Sequence, residues 1–233
     1  IFLHGGPGAI VMPSHHSFFN DKDFFSIFFD QRGCGKSKPF CELKNNTIQN
    51  IVQDMEKIRK ELEIDKWILF GGSWGSTLAL YYSITYPEHC LGMILRGVFL
   101  GTKKEIDWFL TSMGKFYPEA YNIFLKGLNF SEIEKPSSYD IIERASDLIF
   151  GDDAIASQRA SNAWSSYEMS CSTIDYKKRE MNGDAASSMA KIELHYFKNN
   201  CFLKDNEILK NVHKLKDIPT YIIQGRHDVI CPP

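Results

Sequence analysis

A short apolar run, Trp67-Ile68-Leu69-Phe70, passes directly into Gly71-Gly72-Ser73-Trp74-Gly75 and then into a helical pattern over 77–86, closed by Pro87. This order restricts the fold more than any other feature. A strand that turns at once into a helix makes a sharp, strained bend, which lifts the middle residue clear of the sheet. The flanking positions must be small so that strand and helix can pass closely. G-x-S-x-G in this strand–turn–helix setting makes Ser73 a candidate nucleophile. The plain alternative is a glycine-rich turn that happens to contain a serine.

The surrounding pattern agrees with a strand–helix alternation. Residues 24–29 (FFSIFF) form a continuous apolar run of the kind expected for a strand buried on both faces. Ile48, Ile51, Val52, Met55, Ile58 and Leu62 recur at steps of three and four, which predicts an amphipathic helix over 47–64. Residues 91–95 read as a further strand. Such alternation argues for βαβ units and a mainly parallel sheet. From about 100 to 205 the pattern is helical and polar–aromatic, and 219–224 (PTYIIQ) restores the strand signal. The expected organisation is an α/β core over 1–99, a helical cap over 100–205 above the sheet's carboxyl edge, and a second part of the core over 206–233. Ile1 opens without a methionine on what reads as the end of a strand, and Pro233 follows closely on another. The chain therefore reads as an internal fragment, truncated at both ends.

Composition removes several function classes. The 233 residues are 43% hydrophobic, enough for one sizeable core, and length alone suggests one large domain or one carrying an insertion. Lys and Arg number 27 against 29 Asp and Glu, so there is no basic field for nucleic acid and no acidic tail. No apolar run reaches the ~18 residues of a membrane span. The six cysteines are too dispersed for a CxxC metal pair or a disulfide scaffold and read as free thiols in a reducing compartment. A cytoplasmic location is the default expectation. Two Asn-x-Ser/Thr sequons, at Asn45 and Asn129, are short enough to arise by chance.

Two further loops bear on chemistry. His4-Gly5-Gly6-Pro7-Gly8 follows the first strand. A glycine-rich loop there can present a backbone N–H which, with that of Trp74, forms a two-donor oxyanion hole. His4 itself reads as structural. Gly225-Arg226-His227-Asp228 follows the last strand and places Asp228 where the acid of a Ser–Asp–His triad belongs. His227 is its sequence neighbour, so it points elsewhere, and the base should come later in the chain. None of His4, His15, His16, His89, His195 and His213 has a triad setting, so the base is expected roughly two to three dozen residues beyond Pro233. Gly33-Cys34-Gly35-Lys36-Ser37 imitates the tail of a phosphate-binding loop. Position 30 is Asp where that motif needs Gly, and Pro39 blocks the helix it requires. The stretch reads as a structural loop in which Asp30 and Arg32 help fix the site.

Taken together, HGGPG, DQRGCGKS, GGSWGSTLALYY, Leu95-Arg96-Gly97, the segments AWSSYE and AKIELHYF, and GRHDVICPP resemble the proline iminopeptidase (prolyl aminopeptidase) family of α/β-hydrolases. The match runs along essentially the whole chain. The resemblance implies an α/β-hydrolase core with an inserted helical cap and a serine peptidase that removes an N-terminal proline from short peptides. It implies a Ser–Asp–His triad, no metal and no cofactor. Ser73 would be the nucleophile, Asp228 the acid, and Gly6 with Trp74 the oxyanion donors.

On the helix expected near 185–198, Glu193 lies at helical spacing from Met189, Tyr196 and Phe197. Glu168 is flanked by Trp164 and Cys171. Read alone, these are two half-exposed glutamates. A lone buried carboxylate is costly without a partner, and a free protonated amine supplies one. The resemblance places Glu168 and Glu193 as that amine's clamp and Phe99 in the wall of the proline-ring pocket. Phe109 stands where relatives commonly carry Tyr, Tyr167 where Trp is usual, and His227 where Tyr is usual, so side-chain selectivity is open. The competing expectations are a general esterase or amidase of the same fold, and a non-catalytic binding protein on that scaffold.

Overall fold

The computed structural model describes residues 1–131 and 133–233. Among them, four parallel strands form one sheet in the order β1 (Phe2–Leu3), β2 (Trp67–Ser73), β3 (Cys90–Val98) and β4 (Thr220–Ile223). Parallel neighbours need a crossover. The first carries α1 (Ile48–Glu61) and the second α2 (Trp74–Thr85).

Helix α1 starts where the Thr47 side chain accepts a hydrogen bond from the Asn50 N–H, and it buries Ile48, Ile51, Val52 and Met55. It stops short of the predicted 64 because Glu63 takes a left-handed φ of 54°. Helix α2 is buried nearly all round, through Trp74, Leu78, Ala79, Leu80 and Tyr82. That burial is expected of a helix with apolar residues on every face. Trp67 and Leu69 of β2 point to this side, where the Trp67 and Tyr82 rings meet at 5.7 Å.

The run 24–29 does not form the expected buried strand. Only Phe28 makes a bridge, to Phe2, and Phe25 is 78% exposed. Phe28 joins an aromatic cluster instead, in which Phe19 meets Phe2, Phe28 and Phe70 edge to face and Phe28 lies tilted against Phe2. An apolar run supplies the greasy surface of a strand but not the ladder partner, and β1 offers two ladder positions.

Between β3 and β4 the described residues are helical. The segment holds α3 (Lys103–Asp107), α4 (Pro118–Gly127), α5 (Ser138–Ile149), α6 (Ala154–Cys171), α7 (Gly183–Lys198) and α8 (Glu207–Asn211). Capping is legible: Thr102 with Glu105 closes α3 in a reciprocal box, Ser137 with Asp140 does the same for α5, and Asp153 accepts from two N–H groups of α6. Phe124 of α4 stacks on Tyr167 of α6 with centroids 4.7 Å apart. This layer sits over the carboxyl ends of β1 and β2. Tyr196 of α7 lies edge-on to Trp74 at 4.7 Å, and Trp108 Nε1–H donates to the Val229 carbonyl at 2.7 Å. No helix among the described residues is long and apolar enough to cross a membrane. All six cysteines are free thiols.

Candidate active site

Ser73 ends β2 with φ 53° and ψ −126°, a left-handed backbone that a non-glycine residue adopts at a cost of about 1–3 kcal/mol. The glycines around it are needed for close approach. A Cβ on Gly71 would overlap the Gly75 carbonyl, and one on Gly75 would overlap the Leu3 carbonyl. Strand, turn and helix therefore pass in backbone contact, as the sequence argument requires. The Cys231 thiol donates to the Ser73 hydroxyl, with Sγ 3.8 Å from Oγ. Burial pushes that thiol up to about 12, so it stands protonated.

The His4–Gly8 loop lies over this turn. A Cβ on Gly5 would fall 3.9 Å from Ser73 Oγ, and Gly6 holds φ 107°, which excludes a side chain. His4 is fully enclosed. Its Nε2 accepts from the Gln31 N–H at 3.0 Å, so Nδ1 carries the proton and donates to the Gly5 carbonyl. Desolvation pushes His4 down to about 4, so it stays neutral and structural. Gln31 Nε2 donates to the His4 carbonyl and Gln31 Oε1 accepts from the Trp74 indole, each at 2.9 Å. The following loop wraps the Asp30 carboxylate, which accepts from the N–H groups of Val11 and Lys36. Arg32 pairs with Asp54. No helix begins at Lys36, so the phosphate-loop imitation is a structural turn.

The third component comes from the loop after β4. Asp228 Oδ1 accepts from the N–H groups of Ile230 and Cys231 at 3.0 and 2.9 Å, and a Cβ on Gly97 would sit 3.3 Å from its Oδ2. Gln224 Oε1 accepts from the Val98 N–H, which pins the ends of β3 and β4 together. A cleft of about 440 Å³ opens here, lined by Ser73, Arg96, Tyr117, His227, Asp228 and Cys231 among others. His227 is exposed in its wall and, among the described residues, is hydrogen-bonded to neither Ser73 nor Asp228.

Half-buried Glu168 of α6 and buried Glu193 of α7 lie within Coulombic reach of each other in the helical layer. Trp164 Nε1–H donates to Glu193 Oε2 at 2.6 Å, whereas Glu168 Oε2 is enclosed with no hydrogen-bond partner. Burial pushes Glu168 up to about 8. Burial first, and then the Glu168 charge, raises Glu193 well above the usual carboxylate range. Glu168 is within Coulombic reach of Cys231, the residue beside Ser73. Phe99 lies apart from the cleft lining. Its backbone is bonded to Ser76 and Thr77, and its ring is 6.4 Å from Phe197. Phe109 packs edge to face on Tyr167, whose hydroxyl donates to the Phe109 carbonyl.

Sequence reasoning misses three participants. Helical spacing pairs Trp164 with Glu168, yet its indole holds Glu193 on the next helix. Gln31 draws no notice between Asp30 and Arg32. Cys231 counts only as one more thiol, although its position three residues after Asp228 is a usable signal.

The sequence profile of the alpha/beta hydrolase fold family matches residues 1–233. A probable proline iminopeptidase of Leptolyngbya boryana is 41% identical over 238 residues, covering 100% of this chain and 73% of that protein. The proline iminopeptidase of Arabidopsis thaliana is 40% identical over 100% of this chain and 62% of its own length. That of Neisseria meningitidis serogroup A is 40% identical, over 100% and 74%. Among solved structures, a proline iminopeptidase-related protein from Thermus thermophilus superposes with a TM-score of 0.54 at 17% identity, covering 100% of this chain and 73% of that one. At that identity the likeness concerns the fold alone.

Proposed function

The chain belongs to the proline iminopeptidase family of alpha/beta hydrolases, and from that premise we propose that it is part of a serine aminopeptidase releasing N-terminal proline from peptides. The 1–99 and 206–233 segments form the hydrolase core in this reading, and 100–205 is the cap that recognises substrate.

Ser73 Oγ attacks the carbonyl of the N-terminal prolyl residue. A histidine from beyond Pro233 takes the serine proton, with Asp228 holding its imidazole in the right tautomer. The N–H groups of Gly6 and Trp74 receive the negative oxygen, each such donor contributing about 2.7–4 kcal/mol of transition-state stabilisation. Collapse breaks the amide bond, and the leaving amine takes the proton from the imidazolium. Water then hydrolyses the prolyl ester on Ser73 by the same route.

The observation that carries this reading is the pair of buried Glu193 and half-buried Glu168, whose Oε2 is enclosed and unpartnered. Held this far from water the two carboxyls keep their protons when the site is empty, and they ionise at low cost only when a cation joins them; the protonated amine of an N-terminal residue is that cation. A neutral ester offers no such partner.

Covalent labelling tests the nucleophile. Full-length protein treated with a fluorophosphonate should carry the phosphonyl group on the peptide containing Ser73, and Ser73→Ala should remain unlabelled and inactive. A label elsewhere, or activity retained in Ser73→Ala, overturns the assignment.

A further inference from the structure

We infer that Gln31 is a positioning residue for the oxyanion hole, its side-chain amide fixing the separation of the two loops that supply the hole's donors. This rests on the assignment of Gly6 and Trp74 above.

Gln31 is 1% exposed and belongs to neither donor loop. Three of its hydrogen bonds nonetheless join both. Its backbone N–H reaches His4 Nε2 at 3.0 Å, and its Nε2 reaches the His4 carbonyl at 2.9 Å. Its Oε1 receives the Trp74 indole N–H at 2.9 Å. His4 stands two residues before Gly6, and Trp74 carries the second donor on its own backbone. The side-chain amide is thus a strut between the two halves of the hole.

The orientation of that amide is forced. Turned over, its NH2 would face the indole N–H and its oxygen would face the His4 carbonyl, losing both bonds and opposing like dipoles. The strut is also braced at each end. Tyr196 of α7 lies against the Trp74 ring at 4.7 Å, and His4 closes on the Gly5 carbonyl through Nδ1 at 3.0 Å. Because His4 stays neutral down to about pH 4, the geometry does not change over the ordinary working range.

Oxyanion donors act over a narrow window, about 2.7–3.1 Å from the developing charge, and an error near 1 Å costs on the order of 10²-fold in rate. An isosteric apolar side chain would fill the volume of Gln31 but leave the His4 carbonyl and the Trp74 indole without these partners. The loops would then be free to shift apart. Gln31 touches no substrate, so its effect falls on the transition state and not on binding.

The test uses full-length protein carrying Gln31→Met, Gln31→Glu or Trp74→Phe. For each, kcat and KM are measured on a proline arylamide. Affinity is measured for proline aldehyde and for the corresponding alcohol, 2-pyrrolidinemethanol. The aldehyde forms a hemiacetal: a bond forms from Ser73 Oγ to the carbonyl carbon, the carbonyl π pair moves to oxygen, and the serine proton passes to the base. The hemiacetal oxygen then occupies the hole, which the alcohol cannot do. Both Gln31 variants should lose about 10- to 100-fold in kcat with KM within about two-fold. Aldehyde affinity should fall by the same factor while alcohol affinity holds. Trp74→Phe keeps the backbone donor and one aromatic ring but removes the indole bond and part of the buried ring volume, so a loss of the same kind, in kcat and aldehyde affinity and not in alcohol affinity, is expected. It decides the matter if the Gln31 variants do not fold. A raised KM with intact kcat, or unchanged kcat and aldehyde affinity in folded variants, overturns the inference. An inactive wild-type enzyme would instead overturn the proposed function on which it rests.

Discussion

Trp164 donates its indole proton to Glu193 Oε2 across the α6–α7 interface, while the neighbouring Glu168 keeps one enclosed oxygen without a partner. The two carboxyls are therefore unequal. Glu193 is held in place, and in the proposed function the unpartnered oxygen of Glu168 is the one that meets the substrate amine. Removing either should weaken recognition of a free amine and leave carbonyl chemistry intact. Glu168→Gln and Glu193→Gln are each expected to lower kcat/KM on a proline arylamide by roughly 10²-fold, the scale of about 2–5 kcal/mol for losing one partner of a buried charge pair. A small uncharged ester should be turned over within a few-fold of wild type. Equal losses on both substrates would remove the clamp.

The pH dependence of binding follows from Glu168. Burial raises it to about 8, so the free protein at pH 7 holds this carboxyl mainly protonated. A bound ammonium favours the carboxylate, so binding releases a proton. KM for the proline arylamide should fall as pH rises from 6 toward 8, until the substrate's own amine loses its proton. Glu168→Gln should flatten that profile, and a flat profile in the wild type would contradict the account.

The same shift acts on stability. Glu168 titrates higher in the folded chain than in the unfolded one, where the value is 4.5. Its protonated form therefore favours folding fully below about 4.5, and that contribution is lost as pH rises through 8. Thermal midpoints measured from pH 5 to 9 should decline less steeply in Glu168→Gln than in wild type. Parallel declines would show that this carboxyl is not the titrating group.

The elbow glycines differ from glycines elsewhere in what they can tolerate. Gly75→Ala would drive a methyl into the Leu3 carbonyl and should cost more than the about 1–3 kcal/mol typical of overpacking, since backbone and not a side chain must move. Gly183 at the start of α7 has φ 65° and nothing within 4 Å of a Cβ, so Gly183→Ala should cost only about 1 kcal/mol. Urea midpoints of the two variants compare them directly. Similar losses would mean that close approach does not set the requirement at Gly75.

Legibility in the sequence follows the range of the interaction. The β2–elbow–α2 unit is readable because its constraint is local: small residues where backbones touch, within a handful of positions. The helical segment between β3 and β4 is readable because apolar spacing and caps are also local. The run 24–29 misleads because hydropathy cannot report whether an extended segment has a neighbour to pair with. Gln31 is invisible for the opposite reason. It binds residues 27 and 43 positions away, and one buried glutamine among charged residues has no hydropathy signature. Trp164 falls to the wrong glutamate because helical spacing ranks neighbours on one helix and is silent about the facing one.

The most direct test of the central claim is steady-state chromophore release from proline arylamide by the full-length protein and its Ser73→Ala variant, with alanine and N-acetyl-proline arylamides as controls. The account predicts turnover of the free prolyl substrate that is abolished by Ser73→Ala and by N-acetylation. Comparable turnover of the acetylated substrate would contradict it and mark a general esterase or amidase. No turnover from folded full-length protein would mark a hydrolase scaffold used for binding.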